Sequence, residues 1–409
     1  MQNSTTAELD RFKAQQIINQ LKSGTTPLDA AHYIDVGRER WYKGMNYFLE
    51  AAAEGGSSQV RFIRGRYGDG KTHLTSMAMY YALKQSFVVS YASAESTPLN
   101  RFEELYKALA KSLQSERLCG GLEHLLNDWK ERSKDDIGSL VSSLKAPGMD
   151  INFRLAIESF IKDDNYQHED RILQWLLGNP IKLPELGIKT YLTPTNSRDM
   201  MRSLSILVRL MDYSGLVVVL DELDRVQTQK SPVRQKVYQN LRQLLDNVDG
   251  QGGMQATIYY IAAPSEMYTQ SKGFLEYDAL RSRLDPAMKS LSQQKTFVDY
   301  RGVIINLEDT PMKKDDLINM ATNVRDVHAI ALQWDAEKDF PEEAIRIIVD
   351  QILREQYNIS TPRLVATTIA RVADLAEQGG EYDIIQEIQA SYDICEESRK
   401  QRHREKYED

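Results

Sequence analysis

The sequence predicts an α/β protein organised around a parallel β-sheet. Between Arg61 and Thr75, a short apolar strand runs into a glycine-rich turn and then into a helix. The run Leu216 to Leu220 contains five apolar residues in succession, which is typical of a strand covered on both faces. Beyond Pro311 the apolar residues recur only at helical spacing. The chain is therefore expected to alternate strands and helices and then to end in a purely helical part.

The composition is that of an ordinary globular protein. The chain has 409 residues, of which 42% are hydrophobic and 27% charged, enough for one large domain or two to three smaller ones. The net charge of −8 argues against a general nucleic-acid coat. Cys119 and Cys395 are far apart, and the first residues lack a signal-type apolar run. We therefore expect a cytoplasmic protein with no membrane segment.

The glycine-rich turn has the spacing of a phosphate loop. Gly65, Gly70, Lys71 and Thr72 fit the pattern G-x-x-x-x-G-K-[ST]. Glycines, here with Gly68 between them, let backbone N–H groups approach phosphate oxygens, and the following helix directs its positive end at them. Lys71 would then reach the β- and γ-phosphates. The other predicted nucleotide-binding residues in or beside this loop are Tyr67, Asp69 and His73. The alternative is a glycine-rich turn that binds nothing, and the strand and helix patterns around the loop argue against it.

Acidic residues follow the second apolar run. Asp221 and Glu222 come directly after Leu220, at the strand end where α/β sheets bind ligands. We expect Thr72 and Asp221 to hold Mg²⁺, and Glu222 to polarise the water that attacks the γ-phosphate. Acidic helix capping after a core strand is the alternative for this pair.

Two other segments have more than one interpretation. Tyr33, Ile34 and Val36 lie upstream of the phosphate-loop strand, where they would pack either on the nucleotide base or in the core.

Residues 5 to 22 predict an amphipathic helix whose apolar side includes Phe12. From about 119 to 194 the breaks predict short helices, and so a helical insertion with either a solvated surface or a partner-docking role. Further strands are predicted at Phe87 to Tyr91, Thr257 to Ala263 and Val303 to Leu307.

The order of these motifs resembles that of an AAA+ ATPase of the origin-recognition-like branch. Within it, the segments VRFIRGRYGDGKTHL, LVVVLDELD and STPRL are similar to those of the ATP-binding proteins of BREX-type bacterial phage-defence systems. The resemblance implies a five-stranded parallel sheet with helices on both faces, a helical lid, and ATP bound partly between subunits. It divides the chain into a core at 1–309, containing the insertion at about 119–194, and a lid with C-terminal helices at 310–409.

The resemblance also assigns four further residues. It implies that Ser265 stands at the first sensor position and Arg363, which opens a lid helix, at the second. Arg283 stands where the family places the finger that reaches a neighbour's γ-phosphate, with Arg281 in reserve. An arginine there would neutralise charge on the transferring phosphoryl group.

These expectations favour an oligomerising ATPase that uses ATP and Mg²⁺ to switch or remodel a DNA-processing partner, such as a helicase, in phage defence. A nucleotide-locked scaffold with little hydrolysis is the alternative, and a helicase loader or replication initiator is a third. Contact with DNA stays open. The basic end, which would provide it, contains Arg399, Lys400, Arg402, Arg404 and Lys406. A solvated helix end is the other interpretation of these charges.

Overall fold

One parallel sheet forms the centre of the molecule. The computed structural model describes residues 9–25, 30–162, 166–246, 253–284, 298–355, 357 and 359–405. The strands are β1 (Gln59–Gly65), β2 (Val88–Ser93), β3 (Leu216–Asp221), β4 (Thr257–Pro264) and β5 (Ile304–Asn306). Their order is β2-β3-β4-β1-β5, and every neighbouring pair is parallel. The predicted five-stranded parallel sheet is therefore confirmed.

Helices occupy most of the remaining chain. Those before β3 are α1 (Arg11–Lys22), α2 (Glu39–Gly55), α3 (Lys71–Lys84), α4 (Phe102–Ser112), α5 (Gly121–Arg132), α6 (Ile137–Ser143), α7 (Ile151–Lys162), α8 (Tyr166–Leu176) and α9 (Ser197–Leu210). Those after it are α10 (Ser231–Asp246), α11 (278–284), α12 (Lys314–Leu332), α13 (Ala336–Asp339), α14 (Glu342–Glu355), α15 (Thr361–Glu377) and α16 (Ile384–Glu405). In the described ranges, none of these helices combines the length and the apolar character needed to cross a bilayer.

Each face of the sheet is covered by helices, because successive side chains of a strand point to opposite faces. Val217 and Val219 of β3 belong to an apolar cluster with residues of α2 and α3. Val218 and Leu220 belong to a second cluster with residues of α4 and of α7 to α10. This two-sided burial explains why the β3 sequence is continuously apolar rather than alternating.

The pairing register brings the carboxyl ends of the strands to one edge. Gly65 at the end of β1 pairs with Pro264 at the end of β4. Ser93 at the end of β2 pairs with Asp221 at the end of β3. The glycine-rich loop and the acidic residues therefore leave the sheet at the same edge.

Helices α5 to α8 lie in the segment predicted as an insertion. Their large side chains, including Trp129, Phe153, Phe160 and Trp175, are buried in the same cluster as Val218 of the sheet. These helices therefore extend the core on that face instead of standing apart from it.

The C-terminal helices form a third apolar cluster, which α1 joins. Ile17, Ile18 and Leu21 of α1 are buried among residues of α12, α14 and α15. Lys22 also forms an ion pair with Asp374 of α15. The helices of the predicted lid thus pack together with the N-terminal helix, while the division of the chain at 309/310 stays a prediction.

A buried hydrogen-bond chain reinforces this cluster. Trp334 Nε1 donates to Nδ1 of His328 at 3.0 Å, so Nε2 of the same ring carries the proton that is shared with Asp374 Oδ1 at 2.9 Å. Burial lowers the pKa of His328, although the Asp374 carboxylate opposes that shift. The imidazole is therefore held as one neutral tautomer.

One predicted core residue is wrong. Phe12 was assigned to the apolar side of the first helix, yet it is 76% exposed. Asp10 caps α1 by accepting hydrogen bonds from the backbone N–H groups of Phe12 and Lys13. The buried side of the helix instead carries Ala14, Ile17, Ile18 and Leu21, and Phe12 lies off this side.

We predict that Ile17→Ala lowers the free energy of unfolding by about 2–5 kcal/mol, because Ile17 is only 1% exposed and the change leaves a cavity between α1 and the C-terminal helices. Phe12→Ala is the matched control and should change the free energy of unfolding by less than about 0.5 kcal/mol. Urea unfolding of the full chain, followed by circular dichroism, measures both. Equal losses in the two variants would contradict the packing of α1.

Candidate nucleotide-binding site

A cavity of about 500 Å³ lies at the carboxyl edge of the sheet, between the glycine-rich loop and the C-terminal helices. A volume of this size suits a small organic ligand. The predicted site residues that line it are Val36, Tyr67, Gly68, Gly70, Lys71, Thr72, His73, Asp221, Glu222 and Arg363. Residues that lie up to about 330 positions apart in the chain therefore meet around one space.

The loop depends on two glycines for its shape. Gly68 and Gly70 have φ values of +89° and +86°, in the left-handed region that side chains disfavour. A Cβ atom at Gly68 would also lie 2.5 Å from Cβ of Ser360. Gly70 directly precedes α3, so the N-terminus of that helix opens beside the cavity. Such a terminus provides backbone N–H donors and a positive partial charge for an anion.

Lys71 is half-buried, and its side chain is hydrogen-bonded to the loop itself. Its Nζ donates to the carbonyl oxygens of Gly65 at 3.0 Å and Arg66 at 2.8 Å. An ammonium group has three donors, which leaves capacity for an oxygen of a bound anion. Burial lowers the pKa of Lys71, whereas the nearby Asp221, Asp69, Asp224 and Glu266 carboxylates raise it. The loop thus holds the cation in a fixed position at the cavity wall.

Thr72 and Asp221 form the pair predicted to hold a metal ion. Thr72 Oγ1 donates to Asp221 Oδ2 at 2.9 Å, and the Glu222 N–H donates to Asp221 Oδ1 at 2.8 Å. Asp221 is 3% exposed, and burial raises its pKa, against the effect of these hydrogen bonds and of Lys71. Within the described ranges, no group of three or more His, Cys, Asp or Glu side chains is placed to bind a metal. One hydroxyl and one carboxylate nevertheless fit Mg²⁺, which keeps most of its waters.

Glu222 has an unusual backbone conformation. Its φ and ψ of 60° and 36° are left-handed, which is uncommon for a residue with a side chain. The carboxylate oxygen Oε2 accepts a hydrogen bond from Ser93 Oγ. Because Ser93 pairs with Asp221 across the β2–β3 ladder, the sheet register itself brings this hydroxyl to Glu222.

The C-terminal helices contact the loop directly. Arg363, in the first turn of α15, donates from Nη1 to the Tyr67 hydroxyl at 2.6 Å and lies 5.0 Å from the centroid of that ring. Its Nη2 donates to the carbonyl oxygen of Gly24. Ser360 Oγ donates to the carbonyl oxygen of Gly68 at 2.6 Å. The loop is thus hydrogen-bonded on one side to the elements that would form a lid.

The apolar end of the cavity lies beside the upstream segment. Ile34 and Val36 line it together with Met312 and Met320, whereas Tyr33 does not. Ile34 is also buried in the cluster of C-terminal helices, which is the core packing considered from the sequence. Contact between Val36 and a base stays a prediction.

Besides Tyr33 and the reserve finger Arg281, four predicted residues do not line the cavity. Gly65 and Asp69 shape the loop: the Gly65 carbonyl binds Lys71, and Asp69 Oδ2 accepts from the Arg66 N–H at 2.6 Å. Ser265 follows β4, but its hydroxyl donates to Glu308, and its neighbours Pro264 and Glu266 line the cavity instead.

Arg283 is the fourth of these residues. It lies on α11, is 48% exposed, and donates from Nε to Asp246 Oδ1 at 2.8 Å. The side chain of the alternative finger, Arg281, is 50% exposed, and its Nη1 lies 3.9 Å from Asp278 Oδ1.

Several contacts involve residues that the sequence had not assigned to the site. Arg38 lines the cavity and donates from Nη2 to the Asp69 carbonyl oxygen at 2.6 Å. Arg225 also lines it and forms an ion pair with Glu95. Ser93 and Ser360, described above, complete this group. The available signal for Arg38 was its closeness in sequence to Ile34 and Val36, since all three residues line the cavity.

The basic end of the chain lies mostly outside the described residues. The side chains of Arg399, Arg402, Arg404 and Lys406 are among those not described, while Lys400 lies 3.2 Å from Glu396. The expectation of a phosphate contact there is therefore untested.

Comparison with known proteins identifies the family of the chain. The family model of the BREX system ATP-binding protein BrxC/D matches residues 9–163 and 130–391, which include the phosphate loop, the acidic strand end and Arg363. No curated protein and no solved structure matches the chain. Because the family match spans most of the sequence, the chain belongs to the family of BREX system ATP-binding proteins BrxC/D.

Proposed function

We propose that this protein is an AAA+ ATPase that oligomerises on ATP and switches or remodels a DNA-processing partner in phage defence. The single observation that carries the proposal is the meeting of Lys71, the Thr72–Asp221 pair and Glu222 around one cavity. A phosphate-binding cation, a pair of metal ligands and a carboxylate are together the parts that phosphoryl transfer to water requires. The family supplies ATP as the ligand.

In this proposal the loop and α3 bind the phosphates. Backbone N–H groups at the start of α3 and Lys71 Nζ hold the β- and γ-phosphate oxygens. Thr72 and Asp221 would hold Mg²⁺, which would supply positive charge beside the phosphates. The base lies toward Val36 and Ile34 at the apolar end of the cavity.

Glu222 then acts on water. Its carboxylate accepts a hydrogen bond from the attacking water and orients it, while the new O–P bond forms at the γ-phosphate and the bond to the β-phosphate oxygen breaks, giving ADP and phosphate. Arg363 responds to the γ-phosphate from the second sensor position. Ser265, whose hydroxyl donates to Glu308, would act from the first sensor position by exchanging that bond for one to the nucleotide. Arg283 completes the site of a neighbouring subunit, in keeping with its exposure and its place outside its own cavity.

The proposed organisation follows the AAA+ pattern. Residues 1–309 form the core, with a helical insertion at about 119–194, and residues 310–409 contain the lid. The free thiols Cys119 and Cys395 suit a reducing compartment, so we place the protein in the cytoplasm.

A nucleotide-locked scaffold is the second candidate. The hydrogen bond from Ser93 occupies one oxygen of Glu222, and a carboxylate held in this way is less available to water. ATP hydrolysis measured with and without duplex DNA, together with the mass in solution with and without ATP, separates the two candidates. Turnover that accompanies assembly supports the ATPase, whereas assembly without turnover supports the scaffold.

We predict that Lys71→Ala abolishes ATP binding, because it removes the loop cation that follows the β- and γ-phosphates. Calorimetric titration of the full chain with ATP measures the effect. The exposed Lys43 on α2 provides the control Lys43→Ala, which should bind as the wild type does. Unchanged affinity in a folded Lys71→Ala protein would overturn the assignment of the loop.

For Glu222→Gln, we expect normal ATP and Mg²⁺ binding but turnover reduced by at least about 100-fold, since an amide cannot polarise water as a carboxylate does. Phosphate release is the measurement, and the exposed Glu123→Gln is the control. Hydrolysis at the parent rate would show that Glu222 is not the acting carboxylate.

Arg283→Ala should leave the fold and ATP affinity nearly intact while lowering turnover by about 10³- to 10⁵-fold, the range of a finger supplied in trans. A mixture of Arg283→Ala and Glu222→Gln chains tests the location of the finger, because some mixed sites combine an intact Glu222 with a neighbour's intact Arg283. Recovered hydrolysis supports action in trans. If mixtures that co-assemble show no recovery, Arg281 or the scaffold function is favoured instead.

A further inference from the structure

We propose that Arg38 is a second phosphate-binding cation of the nucleotide site, and that its Nη1 donates to one of the two phosphates nearest the nucleoside. The inference rests on the proposed function, because it takes ATP as the occupant of the cavity. It adds a nucleotide contact from outside the phosphate loop.

The position of Arg38 follows from its neighbours on one wall of the cavity. Ile34, Val36 and Arg38 all line the cavity. Ile34 is buried among the C-terminal helices at one end of this wall. At the other end, Arg38 Nη2 donates to the carbonyl oxygen of Asp69 at 2.6 Å. The wall therefore runs from the apolar end of the cavity to the phosphate loop, and Arg38 stands where a nucleotide with its base near Val36 would present its first phosphates.

Arg38 also lies close to the backbone of the loop. A Cβ atom built on Gly70 would be only 3.1 Å from Arg38 Nη2. Gly70 directly precedes Lys71 and α3, whose N-terminus is the predicted phosphate-binding point. The guanidinium of Arg38 therefore lies next to the residue that precedes the phosphate-binding helix terminus, where Arg38 and Lys71 could both bind one polyphosphate.

One donor of this side chain lacks an acceptor. Arg38 is 8% exposed, and its Nη1 is completely buried with no hydrogen-bond partner among the described residues. A buried donor of a charged group without a partner carries a large desolvation cost. A ligand oxygen in the adjoining cavity would remove that cost, so the orphaned donor points to a ligand.

The surrounding charges favour an anion as that ligand. The Asp35 carboxylate is bonded to His73 Nε2 at 2.7 Å and to the Tyr42 hydroxyl, while the Asp69 carboxylate is bonded to the Arg66 N–H. Both carboxylates act on Arg38 electrostatically, but in the described part of the chain neither forms an ion pair with it at contact distance. Burial lowers the pKa of Arg38, with Tyr42, Asp35 and Asp69 opposing the shift. A phosphate offers this guanidinium both a charge and a matching acceptor geometry.

The test compares nucleotides that differ in their phosphates. In Arg38→Gln, we expect affinity for ATP and for ADP to fall by the same factor, about 10- to 100-fold, the range of a hydrogen bond from a charged donor. Adenosine, measured by competition against a fluorescent nucleotide, should change by less than about threefold. AMP distinguishes the two phosphates: its affinity falls if Arg38 contacts the α-phosphate and is unchanged if the contact is with the β-phosphate.

Two further variants separate phosphate binding from support of the loop. Ser360→Ala removes another hydrogen bond onto the loop, at the Gly68 carbonyl, but removes no charge. It should therefore weaken ADP binding much less than Arg38→Gln does. Arg38→Lys keeps the charge and should recover part of the lost ADP affinity, and it also serves as the test variant if Arg38→Gln does not fold.

Unchanged ADP affinity in Arg38→Gln would overturn this inference while leaving the proposed function intact, provided that Lys71→Ala abolishes binding. Equal losses for adenosine and ADP would also overturn it and leave Arg38 as a support of the loop. Failure of the wild-type chain to bind ATP would instead overturn the proposed function, and this inference with it.

Discussion

The register of the parallel sheet is the constraint on which the site depends. Gly65 lies beside Pro264, and Ser93 lies beside Asp221, because neighbouring strands pair at these residues. A shift of one residue in either ladder would turn every side chain of the strand to the other face. The hydrogen bond from Thr72 to Asp221 would then be lost, since it joins the first turn of α3 to the end of β3.

The cavity at the carboxyl edge of the sheet is bordered by two kinds of contact, which differ in strength. Below the cavity, the strands are fixed by backbone hydrogen bonds and by clusters of buried apolar side chains on each face. Above it, the C-terminal helices touch the loop through a few polar groups, among them Ser360 and the Arg363–Tyr67 pair. Individual hydrogen bonds of this sort contribute only about 0.5–1.5 kcal/mol, or somewhat more when charged. The floor of the cavity is therefore much more rigidly determined than its roof.

How much of this could be predicted from the sequence depends on the range of the interaction. The loop, the acidic strand end and the helical end were accessible because each is a local pattern of residue types. The bond between Ser360 and Gly68 was not, since these residues are 292 positions apart and neither has a local signal for the other. Ser93 was visible as a polar strand end, but its contact with Glu222 depends on which strands are neighbours. Ser265 lies where it was expected, directly after β4, yet its hydroxyl partner Glu308 follows a different strand.

The wrong prediction for Phe12 has a different cause. A stripe of apolar residues at helical spacing identifies a buried side only when it is read with the position of the neighbouring helices, and a single large apolar residue at its margin is ambiguous. The N-terminal cap at Asp10 begins the helix directly before Arg11, and Phe12 then lies in its first turn, away from the residues that pack.

The left-handed backbone of Glu222 has a consequence for the history of this position. That conformation costs a residue with a side chain about 1 kcal/mol or more relative to glycine. Mutational drift governed by folding alone would therefore favour glycine or asparagine between β3 and the turn that follows it. A glutamate therefore occupies this position at the expense of folding stability, in keeping with the role that we propose for its carboxylate.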